Sequence, residues 1–102
     1  MANLLHNISG EITQELLAAG NSLTINSVSI VNTNASISVL VDLYIEKVGT
    51  GKYYVVKNHF LNVGEKLETG LGFNNGPKQF GLFVKLTNVF SSGTPTVDII
   101  LK

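Results

Sequence analysis

The sequence predicts an all-β protein, an antiparallel β-sandwich of about seven or eight strands with jelly-roll or Ig-like connections. Three observations lead to this. Apolar residues recur at every second position in several separate runs, the period of a half-buried strand. Short segments rich in Gly, Asn, Ser and Pro separate those runs. Their spacing is close to the roughly 8–12 residues per strand of sandwiches and barrels.

The elements follow in chain order. The opening "MANLLHNISGEITQELL" carries Leu4, Leu5, Ile8, Ile12, Leu16 and Leu17, more apolar groups than a solvated arm requires. Residues 1–10 therefore read either as a first strand or as an N-terminal arm packed on a neighbouring subunit. In "EITQELLAAG" the spacing of Ile12, Leu16 and Gly20 is weakly helical, but Ile12-Thr13-Gln14 alternate equally well, and strand is the expectation. In "SLTINSVSIVN" the apolar phase shifts from Leu23 and Ile25 to Val28 and Ile30, as one extra residue near Asn26–Ser27 would cause in a β-bulge. "ASISVLVDLYIEK" puts Ile37, Val39, Val41, Leu43 and Ile45 on one face and Ser38, Leu40, Asp42, Tyr44 and Glu46 on the other. A helix would spread those five apolar side chains around its axis, whereas a strand stacks them against a core.

"KYYVVKNHF" follows the "KVGTG" turn and should pair back on the preceding strand, with Tyr54, Val56 and Phe60 inward and Lys57 and His59 outward. "QFGLFVKLTN" alternates through Phe80, Leu82, Val84 and Leu86, and "TVDIILK" through Val97, Ile99 and Leu101. The expected core includes Ile37, Val39, Val41, Leu43, Phe80, Leu82, Val84 and Ile99. The turns are "AAGNS", "NTNA", "KVGTGK", "NVGE", "FNNGPK" and "SSGTP". One domain over residues 1–102 is the natural reading at this length, with a core large enough to stand alone.

Composition narrows function. Charged residues make up 14% of the chain, against about a quarter in typical domains, while 44% is hydrophobic. Seven Lys balance seven acidic residues and there is no Arg, so neither the basic patch nor the bidentate donor of a nucleic-acid binder is present. Without Cys there is no thiolate metal site or cysteine nucleophile. No apolar run reaches the roughly 20 residues of a helical membrane span, and no basic-then-apolar leader opens the chain. The expectation is a protein made in the cytoplasm, with neither nucleic acid nor membrane as partner.

The stretch "GKYYVVKNHFLNVGEKLE" holds reactive-looking groups: Tyr53, Tyr54, Lys57 and His59. Catalysis by His59 would need a positioned carboxylate or serine. The rest of the chain offers His6 and seven scattered acids, none at metal-ligand or triad spacing. His59 and Lys57 therefore read as strand residues. Asp42 and Glu46 share a strand face four positions apart, a solvated pair more readily than an acid–base pair. "GLGFNNG" lacks the G-x-G-x-x-G order of a phosphate loop, and its "NNGP" is a tight turn. Asn7-Ile8-Ser9 fits the glycosylation pattern, which has meaning only for a secreted chain. Tyr44, Tyr53 and Phe73 could form an aromatic platform for a sugar, or belong to the core. No catalytic, cofactor-binding or metal residue is expected.

"SVSIVNTNASISVLVDLYIEK" followed by "YYVVKNHFLNVGEKLETGL" resembles small β-sandwich structural proteins of tailed-phage virions, of the decoration, neck or tail type. The shared order is a strand ending in an "-I-x-N-T-" turn (Ile30 to Thr33), a long alternating strand (Ile37 to Ile45), a short strand (Tyr53 to Leu61) and a "-G-x-x-L-" turn (Gly64 to Leu67). The match covers about residues 22 to 102 and departs in the longer "LETGLGFNNGPKQ" segment. The resemblance implies a non-enzymatic virion component with no cofactor. It would be present in symmetric copies and contact major capsid, neck or tail proteins. The alternative from the residues alone is a small carbohydrate-binding or adhesion module.

Overall fold

In the computed structural model, residues 4–18, 24–47, 51–74, 80–89 and 94–102 are described. They form eight strands: β1 Leu4–Ser9, β2 Thr13–Leu17, β3 Thr24–Asn32, β4 Val39–Lys47, β5 Gly51–Leu61, β6 Lys66–Asn74, β7 Phe80–Asn88 and β8 Thr96–Leu101. Two four-stranded antiparallel sheets result, ordered β1-β8-β3-β6 and β2-β7-β4-β5. Apart from the β4–β5 hairpin, successive strands alternate between sheets. That is jelly-roll connectivity, two Greek keys wound into one sandwich, and it replaces the Ig-like alternative, whose sheets are ordered differently.

The core lies between the sheets. Val39, Val41 and Leu43 of β4, with Leu82, Val84 and Leu86 of neighbouring β7, face Val28 and Ile30 of β3 and Val97, Ile99 and Leu101 of β8, all fully buried or nearly so. Of the expected core, Ile37 and Phe80 are only half-buried. Ile37 precedes the first ladder residue of β4, and Phe80 opens β7, so each has packing on one side only. Ile8, Leu16, Leu17, Ile25 and Leu61 complete the core. The segment over residues 1–10 expected as a possible arm contains edge strand β1, paired along its length with β8, and its Ile8 is 4% exposed.

The phase shift in β3 is a bulge at the expected place. The N–H groups of Asn26 and Ser27 both donate to the Lys102 carbonyl, which turns Ile25 and Val28 to the same face. The "NTN" turn after β3 is held by Asn32, which is 1% exposed. Its Nδ2 donates to the carbonyls of Ile37 (3.0 Å) and Leu61 (3.1 Å), and its Oδ1 accepts from the Asn34 N–H (2.9 Å). Its backbone bonds Glu65 and Gly64. One side chain thereby fixes the end of β3, the start of β4, the end of β5 and the turn into β6. The "LETGLG" segment, where the resemblance departs and the sequence reading places no strand, forms most of β6. Gly70 and Gly72 hide its alternation, and Gly72, at φ 55°, sits where its register with β3 shifts.

Candidate interaction surface

The outer face of the β2-β7-β4-β5 sheet concentrates the unusual side chains. Residues paired across antiparallel strands share a face. Because Leu43 points inward, Tyr44 points outward, level with Phe83 of β7 and Tyr54 of β5. The Tyr44 and Phe83 rings stack 5.5 Å apart at 10°, and Tyr54 leans on Tyr44 at 5.4 Å and 54°. Gly81 makes this possible: a Cβ there would stand 2.9 Å from the Phe83 ring. Lys52 lies 4.8 Å over Tyr44, and Lys57 lies 4.2 Å over Tyr54. Tyr44 is thus only 2% exposed on an outer face. Burial raises the pKa of its phenol above the usual value, against the lowering effects of Lys52 and a side-chain hydrogen bond with Thr13. Leu40 and Phe60 pair two rows further along, beyond Asp42. The row edge stays open to solvent, with Tyr54 at 43% and Phe60 at 46% exposed.

The faces of β5 differ from the sequence expectation. Tyr54 and Phe60, expected in the core, lie on the outer face, and His59, expected outward, pairs with the inward-facing Val41 and is half-buried. The hairpin register sets this, because Tyr54 pairs with the outward Tyr44 and Tyr53 with the inward Ile45. Two extra residues further along β5 bring Val56 inward and then restore that phase at His59 and Phe60. The register shifts between Val41 and Leu43 and again between Leu43 and Tyr44, and Asn58 adopts φ 52°. Each inserted residue reverses which side chains face inward. Lys57 is exposed, as expected.

Asp42 does not form a carboxylate pair with Glu46. It is 8% exposed, and its Oδ1 accepts the backbone N–H of Asn58, the donor displaced by the bulge. Tyr53 leaves the proposed sugar platform and meets Phe80 edge-on at 6.0 Å. The Phe73 side chain and the "NNGP" turn lie outside the described residues. His6 donates from Nε2 to the Leu16 carbonyl at 3.0 Å, tying β1 to β2. Asn7 donates to Asp98 on the neighbouring strand. Among the described residues there is no cavity and no cluster of three potential metal ligands. The chemistry gathered on this face is that of contact: aromatic and flanked by lysine.

No protein-family profile and no curated protein sequence matches the chain. Solved structures do. PirA aligns with a TM-score of 0.67 at 13% identity, over 100% of this chain and 96% of its own. A protein of the T13 infectious bursal disease virus particle aligns at 0.61 and 11% identity, over 98% of this chain and 30% of its own. The capsid of cyanophage Pam1 contains a chain aligning at 0.55 and 11% identity, over 98% of this chain and 81% of its own. The sandwich described here is therefore a fold shared with viral capsid proteins and with PirA.

Proposed function

We propose that this chain is a non-enzymatic structural component of a phage virion, a capsid decoration or cement protein or a neck–tail accessory subunit, working through protein–protein contacts. The observation that carries the reading is the aromatic outer face of the second sheet. Tyr54 and, two rows further along, Phe60 beside Leu40 expose aromatic and apolar groups on this face, on a fold also found in capsid chains. Aromatic residues at the centre of a patch are the side chains that anchor protein interfaces. The low charge of the chain supports the same reading, since docking such a surface desolvates few ions. The fold shared with capsid proteins supports it at the level of architecture only.

The alternative, a small carbohydrate-binding or adhesion module, also uses exposed aromatic rings. A stacking sugar needs an open ring face, and Lys57 lies over that of Tyr54, 4.2 Å from its centroid. Protein contact is the better fit. Mass spectrometry and immunogold labelling of purified particles, from the phage whose genome carries the gene, test the proposal. The chain should be present in fixed copy number, and a Tyr54→Ser/Phe60→Ser variant should stay folded and be lost from particles. Absence from the particle, or Tyr54-dependent binding on a glycan array, overturns it.

A further inference from the structure

An open sandwich exposes four edge strands, and an unprotected edge is a template for another strand. Here these are β1 and β6 of one sheet and β2 and β5 of the other. Three of them carry interruptions. In β2 the register shifts between Glu15 and Leu17. In β5 it shifts twice, and the strand carries Lys52, Lys57 and the left-handed Asn58. In β6 it shifts opposite Ile25 to Ser27, and the strand carries Lys66, Glu68 and Gly72. Strand β1 differs. Its register with β8 is unbroken from Leu4 to Ser9, and "LLHNIS" contains no Lys, Arg, Asp, Glu, Gly or Pro. Its Leu5 is 71% exposed, more than Tyr53 at 53%.

The backbone phase shows what this edge offers. Gly10 donates its N–H to the Pro95 carbonyl, one step beyond the Ser9–Thr96 pair. In an antiparallel ladder alternate residues bond the same neighbour, so residues 8, 6 and 4 also turn towards β8. Lys102 exchanges backbone bonds with Ser27 of β3, which gives β8 the matching phase. Leu5, Asn7 and Ser9 therefore present their N–H and C=O groups to the free edge. No described element covers that edge.

We infer that β1 is a self-pairing edge: two copies of this chain join β1 to β1, antiparallel, about a two-fold axis at Asn7. The two four-stranded sheets become one continuous sheet. A second copy is the occupant because the segment complements itself. A two-fold axis generates antiparallel order, no charged side chain meets its own image, and the chain carries formal net charge zero. With the axis at Asn7, Leu5 lies opposite Ser9 of the second copy, and every outward N–H finds a carbonyl. The inference does not rest on the virion reading, since this edge is separate from the aromatic face.

Light scattering after size exclusion, with residue-resolved amide exchange, tests it on the full chain. The expected result is twice the 11.0 kDa chain mass, with slow exchange at Leu5, Asn7 and Ser9. Asn7→Pro removes an outward donor that β8 does not use and should give a monomer in which Leu5 and Ser9 exchange fast. If that variant does not fold, Leu5→Lys at an exposed site should give the same monomer. A monomeric wild type overturns the inference. So does a dimer whose three outward amides exchange fast, or a folded Leu5→Lys that remains dimeric.

Discussion

Single polar side chains close this fold where the ladders end. Asn32 is the clearest case, buried at the junction of β3, β4, β5 and the turn into β6, with both amide hydrogens and its oxygen bonded. A buried group stripped of its partner costs about 1–3 kcal/mol, more than the bond itself contributes. Asn32→Ala should therefore lower stability by about that amount. It should appear as a lower urea midpoint with unchanged slope. A loss under roughly 0.5 kcal/mol would mean that water replaces the amide without penalty. The sequence marks Asn32 only as a turn former. Its burial depends on the ends of β4 and β5, some 5 and 29 positions away in the chain.

At the scale of elements, strand existence was legible and strand facing was not always so. The long runs of β4, β7 and β8 alternate cleanly, and their inward residues are those expected. In β5 the hairpin register turns Tyr54 and Phe60 outward, and two bulges between them bring Val56 inward with almost no mark in local composition. The bulge opposite Asp42 requires a residue in the left-handed region, where Asn and Gly are tolerated and a β-branched residue is strained by about 1–2 kcal/mol. Because Asn58 is exposed, substitution there tests backbone conformation with little packing change. Asn58→Gly should leave the midpoint nearly unchanged, and Asn58→Val should lower stability by about 1–2 kcal/mol. Equal stability of the two variants would show that the bulge does not hold residue 58 in the left-handed region.

The whole molecule depends on one core shared by both sheets, since nearly every connection crosses between them. Val41 is fully buried at its centre. A carboxylate there has no partner, and its burial costs several kcal/mol against a typical total stability of about 5–15. Val41→Asp should abolish the cooperative thermal transition followed by far-ultraviolet circular dichroism. A variant that melts like wild type would show that the two sheets do not share a core.

The sequence by itself determined the class of this protein, an antiparallel sandwich with the inward faces of β4, β7 and β8 and the bulge of β3. A two-residue apolar period is a local property, written in consecutive side chains. Tertiary structure alone decided the jelly-roll order, the facing of β5, the strand hidden in "LETGLG" and the aromatic strip on the outer sheet. Each of these is set by pairing between residues far apart in the chain, such as Tyr44 with Phe83 or Asp42 with Asn58. No local pattern records which strand a given strand will meet, because register is fixed only when both faces of the sandwich close on one core.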